Sequence, residues 1–209
     1  MSPDIRPRMT RAEQQERTRE RLLDAAAEAF AEHGVDGASI DDIAARAGFS
    51  RGAFYSNFRD KTELLIALCD QRLAAFRTQQ LPDLLEGPDA QPLTVAARWL
   101  AAEEPPLEVL LVVELARQRS RTADPDPALS AAVDRVLDAL GRVLVDADAA
   151  EAGAAGVGAG PVGDQEHEER SAAVLAVVLG ADLLRHLGVP PTPRVLELLL
   201  SGLGPRDRP

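Results

Sequence analysis

A chain of 209 residues, 45% of them hydrophobic, can bury a core as one large domain or two small ones, and its net charge of −11 argues against indiscriminate attraction to nucleic acid. The longest apolar run, Ala172 to Ala181, is half the roughly 20 residues that a membrane-spanning helix needs, and the first twenty residues carry Arg6, Arg8, Arg11, Glu13, Glu16 and Arg17 among their charged side chains and no apolar stretch to serve as a secretory signal. A lone cysteine, Cys69, leaves no internal disulfide or multi-cysteine metal site, so a cytoplasmic protein with no membrane association is expected.

Residues 1–10 read as a flexible arm, in which Arg6 and Arg8, with Arg11 beyond, form either a disordered tail or a basic extension reaching a minor groove. From Arg11 to His33 the pattern is helical, with Leu22, Leu23, Ala26 and Phe30 on one stripe, Glu13, Glu16, Arg17, Glu20 and Glu28 in solvent, and Gly34 as the stop. Ser39 caps a short second helix, with Asp42 placed to reach back as in a capping box, and Ile40, Ile43, Ala44 and Ala47 fall at helical spacing before Gly48. Ser50 caps a third, flanked by Phe49 and Phe54 at the positions of a hydrophobic staple. Asp60 and Glu63 open a fourth that runs to Gln80, ahead of Pro82.

Punctuation by Pro and Gly then marks helices near 92–103, 106–121, 126–150, 166–188 and 193–201, with a mobile Ala/Gly loop at 152–163. No stretch alternates as a half-buried strand does, so the fold class is all-α. The two parts differ in make-up. The first 80 residues hold 12 basic and 13 acidic side chains, every Phe and the single Tyr, while the remainder holds 11 basic and 21 acidic.

Residues 39–58 form two short capped helices joined through Gly48, the arrangement in which the second helix of a helix-turn-helix enters a major groove. On that second helix Phe54 and Phe58 point inward, and Arg51 with Tyr55 and Gly52 with Ser56 form i,i+4 pairs on the other side. Gly52 is a poor helix former, which suggests close backbone approach to a partner. The chain's single Lys, Tyr and Asn are Lys61, Tyr55 and Asn57, all within seven positions. Lys61 stands at the start of the fourth helix, where the dipole also favours a phosphate.

Competing readings are weaker. His33, His167, His186 and Cys69 provide no nucleophile with its base, so no enzyme is expected. The run Glu166-His167-Glu168-Glu169 points around a helix and not at one ion, and neither metal nor cofactor is expected. A helical protein-interaction adaptor, using the acidic second part and lacking an operator, is the alternative from another class.

The run GFSRGAFYSNFRDKTELL at 48–65, with Arg21, Ala26, Phe30, Gly34, Ser39, Ile43 and Ala44 before it, resembles the recognition segment of the tetracycline-repressor-like (TetR/AcrR) family. The resemblance covers roughly residues 15–65, and extends weakly through Glu114 to Leu129. It implies a three-helix DNA-binding domain at 11–60, and a helical effector-binding and dimerisation domain at 61–209. The protein would be a transcriptional repressor that leaves its operator when a small organic effector binds. By position, Arg51, Gly52, Ala53 and Ser56 would face bases, whereas Ser39, Ser50, Tyr55 and Lys61 would hold phosphates. Asn57 stands where His is usual, and Ser39 where Thr is, which bears on operator preference.

The stripes Leu129, Val133, Val136, Leu140, Leu144 and Val174, Leu175, Val178, Leu179, Leu183, Leu187 read as core or as a dimer seam. In the family the corresponding helices form a four-helix bundle with a two-fold mate, so a homodimer on a DNA operator with inverted symmetry is implied. Candidate effector-pocket residues are Phe76, Trp99, Leu110, Glu114 and Arg117. An apolar or amphipathic effector suits the Leu, Val and Ala content beyond residue 80.

Overall fold

In the computed structural model the described residues are 10–80, 106–121 and 124–139, with single positions at 176, 177, 180, 181 and 192. The expected arm before Thr10, the helices near 92–103 and 193–201, the 152–163 loop, Trp99 and most of the helix near 166–188 lie outside them. Every regular element among the described residues is helical, and the chain divides into two compact units, Met1–Leu68 and Cys69–Pro209.

In the first unit, α1 (Arg11–Gly37) starts on a reciprocal capping box. The Thr10 hydroxyl accepts the Glu13 N–H at 3.2 Å, and the Glu13 carboxylate accepts the Thr10 N–H at 2.6 Å. The expected stripe of Leu22, Leu23, Ala26 and Phe30 is buried, joined by Ala25, Ala27 and Ala29. At Gly34 the backbone swings to φ +69°, so the stop expected there is a kink after which one short turn leads to Gly37.

The second helix, α2 (Ile40–Arg46), packs on α1 and on α3 (Arg51–Tyr55). Only half of the expected capping box forms: Ser39 Oγ accepts the Asp42 N–H at 3.0 Å, but the Asp42 carboxylate turns forward to Arg46 at 3.0 Å. Arg46 also meets Glu32 of α1 at 2.7 Å, and these bonds together raise its pKa and tie α2 to α1.

The fourth helix, α4 (Lys61–Ala75), begins where Asp60 Oδ1 accepts the Glu63 N–H at 2.8 Å, and passes at Phe76–Gln80 into a π-helical turn. The division between the units falls inside it, between Leu68 and Cys69. In the second unit, α5 (Leu107–Ser120) and a further helix, α6, over 127–139 bury Leu111, Val113, Leu115, Leu129, Val133 and Val136. Leu129, Val133 and Val136 are thereby core within a single chain, which decides the open alternative for that part of the stripe. Exposed ion pairs join Arg119 to Asp134 at 2.7 Å and Arg135 to Asp70 at 2.9 Å. Burial pushes the Cys69 thiol up to about 12. No helix among the described residues is long and apolar enough to cross a membrane.

Candidate nucleic-acid interface

The turn between α2 and α3 is built on Gly48 at φ +74°, a conformation any side chain would strain. Space is tight as well, since a Cβ there would lie 3.2 Å from Arg21 Nη2 and the guanidinium would have to give way. The Arg21 guanidinium stacks over the Phe49 ring at 5.0 Å, and Arg19 stacks over Phe58 at 4.3 Å while its Nη1 donates to the Asn57 carbonyl at 3.2 Å. Two arginines of α1 thus grip both ends of the segment carrying α3. Phe54 and Phe58, at 0% and 1% exposure with ring centroids 5.8 Å apart, fix its rotation. Together they determine which face of α3 looks out.

That face is the expected one. Arg51, Gly52, Tyr55 and Ser56 are exposed, and Ala53 is half-buried. A Cβ added at Gly52 would meet nothing closer than Ser50 Oγ at 3.7 Å, so its missing side chain answers to no crowding inside the protein. Ser39 and Ser50 are exposed and accept cap bonds from Asp42 N–H and Ala53 N–H, at 3.0 and 3.3 Å. Each hydroxyl proton remains free to donate outward. Ser56 Oγ, by contrast, donates to the Gly52 carbonyl at 2.9 Å. Asn57 is half-buried, its amide donating to the Ala53 carbonyl at 2.8 Å while Oδ1 is buried with no protein partner.

Lys61, expected at a phosphate, is turned toward the protein. It is half-buried, and its Nζ donates to the carbonyls of Val35 at 2.7 Å, Ala38 at 3.1 Å and Asp36 at 3.4 Å. An ammonium carries three protons and no acceptor, so it stitches the start of α4 to the α1–α2 connection with all it has.

Arg51 is also held. Its Nη1 donates to Asp41 Oδ2 at 2.8 Å, its Nη2 donates to the Tyr55 hydroxyl at 3.3 Å, and its Cζ lies 5.6 Å from the Tyr55 ring centre. The bond to Tyr55 and the charge of Asp41 raise the Arg51 pKa. Asp41, Arg19 and Arg21 were not expected at this surface from the residue pattern. Contacts ten to 38 residues apart depend on how the helices cross, and only the resemblance had flagged Arg21.

The expected effector residues are less concentrated. Phe76 is buried, Leu110 is exposed, and Glu114 is buried at 7% exposure with Gln118 at 3.0 Å and Arg117 at 3.6 Å. An open groove of about 280 Å³ in the second unit is lined by Asp70, Leu73, Ala74, Arg77, Arg135, Asp138 and Ala139. None of the described candidates lines it.

Residues 22–68 match the family of bacterial regulatory proteins known as the tetR family. The HTH-type transcriptional regulator SrpR of Pseudomonas putida is 44% identical over 77 residues, 37% of this chain, and the chain spans only 36% of that protein's length. The HTH-type transcriptional repressor Rv1474c of Mycobacterium tuberculosis is 32% identical over 58% of this chain and 79% of its own. Among solved structures, the multidrug binding protein EbrR complexed with proflavin superposes with a TM-score of 0.57 at 23% identity, covering 89% of this chain and 99% of its own. With a three-helix unit built around the matched residues and a relative matched over most of its length, the chain belongs to the tetR family of bacterial regulatory proteins.

Proposed function

We propose that the chain is a sequence-specific DNA-binding transcriptional repressor, working in the cytoplasm as a homodimer on an operator with inverted symmetry. The observation that carries this is the outer face of α3, where Arg51, Gly52, Tyr55 and Ser56 stand exposed opposite the buried Phe54 and Phe58. A guanidinium offers two parallel donors to guanine O6 and N7, and a side-chain-free Gly52 lets the backbone approach a groove closely. Arg51, Gly52, Ala53 and Ser56 take the base edges. Ser39, Ser50 and Tyr55 give hydroxyl protons to phosphates, Asn57 tunes operator preference, and Lys61 reaches a phosphate only by exchanging one of its carbonyls.

A small organic effector binds the second unit and releases DNA, as the likeness to a drug-complexed binding protein supports. It must favour the DNA-incompetent state, since equal affinity for both states shifts nothing. The Leu, Val and Ala content beyond residue 80 suits an apolar or amphipathic molecule.

Selection of bound sequences from a random duplex pool tests the reading. The expected product is an inverted repeat with half-sites about 34–36 Å apart, or a multiple of that. A pool that enriches no sequence, with no retention on DNA at low salt, would overturn the reading and support the adaptor.

A further inference from the structure

The base-reading arginine is already engaged, and its partner comes from the other helix of the pair. Asp41 lies in the first turn of α2, 2.8 Å from Arg51 Nη1, with both side chains more than half exposed. So exposed an ion pair contributes little to stability, typically ~0–1 kcal/mol, so its worth has to be sought elsewhere. We infer that Asp41 is a specificity-determining positioning residue, which holds Arg51 for guanine and withholds its charge from phosphates. The inference rests on the DNA-binding reading above.

Three features support it. A guanidinium has five N–H donors, and the bonds to Asp41 and Tyr55 use one each on Nη1 and Nη2, leaving three, enough for a two-pronged contact to one base. A free arginine would give up nearly all its rotamer freedom on entering a groove, and two partners on different atoms remove part of that loss beforehand. Finally, a carboxylate beside the groove-facing surface repels every phosphate alike, so it opposes non-specific binding while leaving the guanine contact intact. Asp41 therefore acts with opposite sign on specificity and on general affinity, which a residue serving only the fold would not do.

The test uses the full-length chain and the duplex most enriched by the wild-type protein from a random pool. Single-base variants of that duplex and an unrelated duplex are titrated at several salt concentrations with wild type, Asp41→Ala, Asp41→Asn, Arg51→Ala and the double Ala variant. Asp41→Ala is expected to reduce discrimination at one base of each half-site by on the order of tenfold. It is also expected to tighten binding to the unrelated duplex and steepen the salt slope by about one unit, as Arg51 becomes free to pair with phosphate. Asp41→Asn, which keeps an acceptor but no charge, should fall between, and it decides the matter if the Ala variant fails a thermal-melt check of folding. In the Arg51→Ala background the Asp41 substitution should no longer alter discrimination. Unchanged discrimination in Asp41→Ala and Asp41→Asn, or a parallel loss of specific and unrelated binding, overturns the inference while the DNA-binding reading stands. A wild-type protein that enriches no sequence overturns both.

Discussion

Among the described residues, the two units differ in how far side chains bind nearby backbone. In the first, polar bonds run from side chain to nearby backbone: Thr10, Ser39, Ser50 and Asp60 each satisfy an N–H three residues on, and Lys61 satisfies three carbonyls. Among the described residues of the second, α5 starts without a side-chain cap, Asp126 accepts the Ala128 N–H at 2.8 Å ahead of α6, and exposed ion pairs join Arg119 to Asp134 and Arg135 to Asp70. Caps and carbonyl clamps fix a backbone in one arrangement, whereas exposed ion pairs, which the first unit also carries at Arg51 and Arg59, are weak, at about 0–1 kcal/mol, and re-form readily with new partners. A surface that must match a rigid groove suits the first construction. The second construction suits the effector response proposed for that unit.

The strongest challenge to that contrast is truncation of each core. Phe54→Ala should cost about 3–5 kcal/mol, and Leu111→Ala about 2–5 kcal/mol, because both side chains are fully buried. The consequences should differ. Under conditions where both variants are still folded, Phe54→Ala should lose operator binding through misplacement of Arg51, and Leu111→Ala should keep its base preference. Urea titration alongside binding to a base-substituted duplex series checks this, and altered base preference in Leu111→Ala would show that the first unit is not self-contained.

Next in size is Lys61→Ala. Hydrogen bonds from a charged donor contribute about 1.5–3 kcal/mol, and this change strips three carbonyls of their partner at once. A lower urea midpoint is expected, together with weaker binding to all sequences alike. Loss of stability with an unchanged salt slope would assign Lys61 wholly to the fold, and a slope lower by about one unit would add a phosphate contact.

Legibility in the sequence follows the same division. The stripe Leu22, Leu23, Ala26, Phe30, the Ser caps, the glycine stops and the inward Phe54 and Phe58 were readable because each depends on residues at most four positions apart. The carbonyl contacts of Lys61 are not legible, because its partners lie 23 to 26 residues away and a helix-start lysine carries no local sign of what it reaches. Asp41 was passed over for the same reason, ten residues from Arg51. The Asp42 half of the capping box failed because Arg46, one turn on, offered its carboxylate a charged donor in place of a backbone N–H. In the second unit an aliphatic stripe fits a core or a dimer seam equally well. Only the burial of Leu129, Val133 and Val136 within one chain separates the two for those residues.

A smaller effect, of opposite sign on folding and binding, is expected from Gly52→Ala. No atom crowds the position, and Ala in place of Gly within a helix gains up to about 1 kcal/mol. The variant should melt slightly higher yet bind its selected duplex more weakly, the methyl group standing where the backbone approaches the groove. Tighter binding would remove Gly52 from the interface.

The smallest effect lies in the pH dependence, and it too separates the units. Burial opposes ionisation of Asp60, but the Glu63 N–H and the Arg59 guanidinium outweigh it and hold the carboxyl below its ordinary value of 3.8. A carboxyl depressed on folding stabilises the native state above its unfolded pKa, and that contribution is lost as pH falls through the folded value. Asp60→Asn keeps the cap acceptor but not the charge, so its deficit in melting temperature should be constant near neutrality and shrink below the ordinary carboxylate range. Cys69 has the reverse sign. A thiol raised on folding favours the native state up to its unfolded value of 9.0, and the advantage fades as pH climbs toward about 12. Acid titration should therefore report on the start of α4 in the first unit, and alkaline titration on the core of the second. If Asp60→Asn tracks wild type in parallel down to acid pH, the cap works through its hydrogen bond alone and the charge at that position contributes nothing.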